Sequence, residues 1–188
     1  NGATLTICDC QSGGTITGTE SYSGLNVISV TGGTLNLESG TISGETEGDG
    51  SLISVTGGGT LNVTGGTISL NHRGKGAQLG VQAVALSGNS TGSFTGGEVS
   101  LTTAVDNARA TTVYQEGGRV TVGDGAALSF ESENALTAPG YGALCVTDSG
   151  QATINTGCTI TALRTDGEMA GAVSIGMLGD ATGTATIN

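Results

Sequence analysis

One four-residue phrase occurs seven times along the chain, and its spacing leaves few folds open. It reads TLTI (4–7), TLNL (34–37), TLNV (60–63), TGSF (91–94), RVTV (119–122), QATI (151–154) and TATI (184–187), with starts 30, 26, 31, 28, 32 and 33 residues apart. A second phrase follows each of the first six: TIT (15–17), TIS (41–43), TIS (67–69), EVS (98–100), ALS (127–129) and TIT (159–161). A third comes later in each repeat: VISV (27–30), LISV (52–55), AVAL (83–86), TVYQ (112–115), ALCV (143–146) and AVSI (172–175). All three alternate with period two, are rich in β-formers and are separated by Gly-rich corners, so each reads as a short strand.

Three strands per repeat, with no helical pattern between them, return the chain above its starting point. Each strand then pairs in parallel with its counterpart one coil on, about 4.8 Å away. The inward positions agree from coil to coil. Strand one stacks Leu5, Leu35, Leu61 and Val120; strand two stacks Ile16, Ile42, Ile68, Val99, Leu128 and Ile160; strand three stacks Ile28, Ile53, Val84, Val113, Leu144 and Val173. The predicted fold is all-β, a single parallel β-helix domain over residues 1–188 with six to seven coils and no recognisable caps. The crossover rule makes it right-handed.

Composition fits a narrow interior. The chain has 36 glycines, one proline, no tryptophan and five aromatics among 188 residues, so its core is built from small aliphatics in thin layers. A net charge of −11 argues against nucleic acid and anionic membranes as partners, because both need clustered Lys and Arg. No apolar run reaches the roughly 20 residues that span a bilayer, and no signal peptide opens the chain. The first residues already lie inside a repeat, which reads as a piece of a longer protein.

These phrases carry a resemblance across essentially the whole chain. It resembles the right-handed β-helix superfold of pectate lyases, phage tailspikes and bacterial surface adhesins. The GGTI and GGTL phrasing is similar to Gly/Thr-rich repeat regions of large bacterial surface proteins, including those of Gram-positive gut bacteria. The resemblance implies an extracellular or cell-surface location and a non-enzymatic adhesin or stalk. It also keeps open a polysaccharide lyase or glycoside hydrolase, since fold alone does not give function.

Distinctive side chains concentrate between strands two and three, in the segments 17–26, 44–51, 71–82, 102–111, 131–142 and 163–171. Stacking projects these loops from one edge, the usual place for a solenoid's binding surface. Tyr22, His72, Arg73, Lys75, Arg109 and Tyr141 are the candidates there for contacting glycan or a host protein. His72, the only histidine, opens the basic stretch NHRGKG (71–76) and reads as a solvated loop residue. Acids Glu45, Glu47 and Asp49 on the neighbouring loop are placed to pair with Arg73 and Lys75. They also alternate with small residues, which makes them a weak candidate for Ca²⁺, with an acidic turn as the simpler reading. No other cofactor is implied.

Glycoside cleavage needs two carboxyls about 5–10 Å apart. Glu98 is the clear outward strand carboxylate, with Glu38 and Glu131 at strand ends, and the three read as belonging to different strand sets. Outward Thr ranks on strands one and two, broken by Glu98, Arg119 and Gln151, raise an ice-binding alternative beside ordinary β propensity. Cys8 and Cys10 sit roughly 20 Å, four or five coils, from Cys145 and Cys158, beyond any bridge. Cys145 reads as outward-facing and Cys158 as a corner residue, so free thiols are expected. Uncapped coils leave strand edges through which end-to-end self-association is expected.

Overall fold

The computed structural model describes residues 2–9, 13–22, 24–74, 80–104, 110–133, 142–165, 171–176 and 183–188. Strands come in sets of three. The first set is β1 (Thr4–Ile7), β2 (Thr15–Glu20) and β3 (Ile28–Thr31); the second is β4 (Thr34–Leu37), β5 (Thr41–Thr46) and β6 (Gly50–Thr56). The third is β7 (Thr60–Val63), β8 (Thr67–His72) and β9 (Val81–Ser87); the fourth is β10 (Thr91–Phe94), β11 (Glu98–Thr103) and β12 (Ala110–Glu116). Then come β13 (Arg119–Val122), β14 (Ala127–Ser132) and β15 (Gly142–Thr147), followed by β16 (Gly150–Ile154), β17 (Thr159–Arg164) and β18 (Val173–Ile175). Strand β19 (Gly183–Ile187) is the last.

Every set lies on the one before it. The first sheet runs β1-β4-β7-β10-β13-β16-β19, the second β2-β5-β8-β11-β14-β17 and the third β3-β6-β9-β12-β15-β18. All pairings are parallel, and their register is the one the phrases predict: Leu5 on Leu35, Ile16 on Ile42 on Ile68, and Ile53 on Val84. The chain is therefore a three-sheet parallel β-helix. It makes about 5 turns, slightly fewer than the six to seven coils expected from the repeats.

Packing follows from the register. Leu35, Ile42, Ile53, Leu61, Ile68, Val84 and Val113 are fully buried in one continuous core. Gly92 occupies the inward place that Leu61 and Val120 hold in adjacent coils. A Cβ there would lie 2.6 Å from Leu86 and 3.2 Å from the Phe94 ring, so the missing side chain makes room for the large one beside it. At the corners, Gly66 has φ +78°, and a Cβ would come 2.7 Å from the Gly40 carbonyl oxygen one coil away. Left-handed backbone and close coil contact both require glycine there.

Strands two and three are longer than their phrases. β5 takes Gly44, Glu45 and Thr46 out of the presumed loop 44–51, and β6 takes Gly50 and Ser51, leaving only 47–49 as a turn. The extension was hidden because the first added inward place varies from glycine to phenylalanine and the second is polar. One inward rank reads Gly18, Gly44, Leu70, Leu101, Phe130, Ala162, and the next reads Glu20, Thr46, His72, Thr103, Ser132, Arg164. In the third sheet, Gln115 lies buried between Leu86 and Val146.

Outward ranks are tied together across coils. Asn62 donates from Nδ2 to Asn36 Oδ1 at 2.9 Å, and Asn36 donates to Thr6 Oγ1 at 3.1 Å. Thr17 and Ser43 share a hydrogen bond of 3.2 Å, and Thr31 and Thr56 one of 3.3 Å. Inward residues become exposed in the first and last described sets, with Leu5 54 % and Ile187 75 % accessible. The same leucine column therefore holds two different sites. Leu61→Ala should lower unfolding free energy by about 2–5 kcal/mol, as for fully buried leucines. Leu5→Ala should cost well under half of that, and chemical denaturation of the two variants checks the contrast.

Candidate functional site

The edge between the second and third sheets holds the distinctive chemistry, and the structure divides the six sequence candidates. Tyr22 is 86 % exposed beyond the end of β2, where its backbone N–H donates to Glu20 Oε1. Arg73 is exposed just past β8, with Nε 3.6 Å from Glu45 Oε2. That pair matches the expected cross-coil pairing. With both side chains about half exposed, it contributes at most about 1 kcal/mol. Lys75, Arg109 and Tyr141 lie outside the described residues.

His72 is a correction: it is a buried strand residue, not a solvated loop residue. It is the last residue of β8 and has no accessible surface. Period-two alternation carries on past Leu70 and turns the imidazole inward, between Thr46 and Thr103 of the adjacent coils. Its Nδ1 lies 3.0 Å from Thr103 Oγ1, in hydrogen-bond contact. Nε2 is buried without a hydrogen-bond partner among the described residues. Burial holds the imidazole below its ordinary value of 6.5, with the carboxylate of Asp49 opposing the shift.

Above this buried rank lies a groove of about 490 Å³ on the outer face of the second sheet. Ser69 and Asn71 of β8 and Ser100 and Thr102 of β11 form its polar wall. Arg73, Ala104 and Glu133 form a row just past the ends of β8, β11 and β14, each N–H bonding to the preceding coil. Ala104 offers only a methyl group, so the surface dips between the guanidinium and the carboxylate. Two coil spacings put those charged residues roughly 10 Å apart.

The acids do not converge on a cation. Glu45 points outward from β5 toward Arg73, while Asp49 accepts from the Gly80 N–H at 3.0 Å. Among the described residues, no three His, Cys, Asp or Glu side chains are grouped to hold a metal ion. The Ca²⁺ candidate of Glu45, Glu47 and Asp49 is thus not assembled. Glu98 and Glu131 do share a sheet, contrary to the expectation of different strand sets. They sit four residues along and one coil across, roughly 14 Å apart by strand rise, outside the separation that glycoside cleavage uses.

One close acid pair escaped the sequence reading. Glu116, at the end of β12, hydrogen-bonds through its side chain with Asp148 of the next coil. Desolvation, that hydrogen bond and the repulsion of Asp148 raise the Glu116 carboxyl above its ordinary 4.5. Their 32-residue separation, one repeat, was the available signal. Nearby, Thr147 donates to Tyr114 Oη at 3.1 Å.

No family model matches the chain, and neither a curated protein nor a solved structure is significantly similar to it. No helix among the described residues is long and apolar enough to cross a membrane.

Cys145 and Cys158 are free thiols in different surroundings. Cys145 occupies the outward rank with Ser54, Ala85 and Tyr114, yet it is buried, and burial pushes its thiol up to about 11. Cys158 sits at a corner, half-buried, with Sγ 3.2 Å from the Asn155 carbonyl oxygen. Alkylation of the native protein should therefore mark Cys158 well before Cys145, which should react only on unfolding or far above neutral pH. Peptide mass spectrometry after timed quenching reads the order.

Proposed function

We propose that this chain is a non-enzymatic segment of a bacterial cell-surface protein, adhesive or stalk-like, with its recognition surface at the edge between the second and third sheets. The observation that carries this reading is the polar groove floored by Ala104 between Arg73 and Glu133. Hydroxyl and amide side chains of Ser69, Asn71, Ser100 and Thr102, from two adjacent coils, face a ligand there, with Glu133 the one carboxyl among the lining residues. Such a wall suits a hydroxyl-rich ligand that exchanges hydrogen bonds, such as a glycan or a polar loop of a host protein. Among the described residues the groove has no aromatic ring on which a sugar face could stack, so binding is weak per site and gains from repetition along a solenoid.

The charge supports a neutral ligand over an acidic one. Arg73 is already paired with Glu45, and Glu131 and Glu133 add negative charge on the same sheet edge. The Thr ranks are less suited to organising ice, because Thr17 on strand two shares a hydrogen bond with Ser43 and Thr6 on strand one accepts from Asn36, each across one coil.

A glycan array and a host-protein pulldown with the purified chain test this reading. Binding should fall at least about tenfold, roughly 1.4 kcal/mol, in Ala104→Leu, which fills the dip without changing charge. Undiminished binding by Ala104→Leu, or by variants with exchanged edge loops, would remove the groove as the recognition surface. Absence of any captured ligand would leave the spacer role in its place.

A further inference from the structure

The chain's single imidazole is sealed beneath the groove. His72 has no accessible surface and fills one place in an inward rank otherwise held here by Thr46, Thr103 and Ser132, all fully buried. Hydroxyls suit that rank because they turn to donate or accept as their neighbours require. Thr46, for example, accepts from the Gly48 N–H and donates to the Gly48 carbonyl. Imidazole cannot adapt in this way. One nitrogen meets Thr103, and the other meets no partner among the described residues.

Charged groups around it are few. From its own strand, Arg73 points outward and is paired with Glu45 of β5. The turn after β5 brings Glu47, which is exposed, and Asp49, whose Oδ1 is engaged by the Gly80 N–H. Strands β6 and β9, across the interior, carry no charged residue, and β11 carries only Glu98 at its far end. Within the rank itself, Glu20 is two coils away in one direction and Arg164 three in the other. Among the described residues, none of these groups hydrogen-bonds Nε2.

The geometry points to His72 as an acid-sensitive latch: neutral, it closes the ends of β8 and β11; protonated, it forces them apart so that the ring reaches water. A second N–H would then need an acceptor where the described residues provide none, and the new charge would be desolvated, a cost that the Asp49 carboxylate opposes without outweighing. The residues on either side are groove residues, Asn71 and Arg73 on β8 and its extension, Thr102 and Ala104 beside Thr103. Opening the latch thus dismantles the groove wall, so a surface that holds a ligand at neutral pH releases it in an acidic compartment. The latch rests on the burial of His72 alone; only its effect on ligand rests on the proposed groove.

The sign follows from linkage. A histidine whose folded-state value is depressed contributes stability that is complete above its unfolded value of 6.5 and is lost as pH falls toward the folded one. Because this is the chain's only histidine, its ring resonances can be followed by NMR without ambiguity. Through 6.5 the ring should remain neutral. Amide protection at 71–73 and 102–104, corrected for intrinsic exchange, should fall by about tenfold per pH unit below that point. His72→Thr restores the hydroxyl rank and should leave protection flat over the same range. A ring that titrates at 6.5, an unchanged acid loss in His72→Thr, or protonation without lost protection would each overturn the latch. Should His72→Thr fail to fold, the wild-type ring titration decides alone. Neither readout involves ligand, so failure of the latch and failure of the groove are separate results.

Discussion

Everything in this molecule depends on the backbone hydrogen bonds between one coil and the next. They hold parallel strands at a fixed spacing of about 4.8 Å, so each side chain lies over the corresponding one in the adjacent coil. A residue that suits an interior place once suits it again, and the core is a set of columns. Columns of Leu, Ile and Val close tightly without bulky side chains. Where one coil carries a large ring, as at Phe94, a neighbouring place must shrink, as at Gly92. The same spacing acts outside, where Asn36 and Asn62 bond along the axis.

This constraint explains why the fold was legible. The repeat length, the three phrases and the aliphatic columns are separate signals of one geometry, and the observed pairings reproduce the aligned positions. The edge was less legible for a related reason. Reading inward places from aliphatic residues stops where the interior turns polar, and the second sheet does so at Thr46, His72, Thr103 and Ser132. A histidine beside Arg73 and Lys75 looked solvated because its chain neighbours are charged. Its lateral neighbours, Thr46 and Thr103, are some thirty residues away in sequence and decide its environment. Counting parity onward from Ile68 would have placed it inside. Arg73 and Glu45 were readable because register alone brings adjacent coils together. Glu116 and Asp148 obey the same rule at an unsuspected corner.

The structure therefore separates two kinds of edge residue. Those of one parity meet solvent and can be exchanged with little effect on the fold, as the variety of Asn71, Thr102 and Glu131 at one outward rank indicates. Those of the other parity meet the interior, and in the buried part of the last rank they are the hydroxylated Thr46, Thr103 and Ser132, with His72 the exception. An exception in an otherwise uniform buried column is where physical cost is concentrated.

Unequal coil lengths of 26 to 33 residues coexist with unbroken register in all three sheets. The edge between the second and third sheets accommodates much of the difference, while strands keep their rank. Such a molecule is modular in its heredity as well as in its shape. Gain or loss of one complete coil rejoins compatible surfaces, so unequal recombination between repeats yields foldable offspring. A deletion of one residue inside a strand instead inverts every later side chain in that strand. Lineages of this chain would drift in length by whole coils and by edge loops, with the strands between them nearly constant in length.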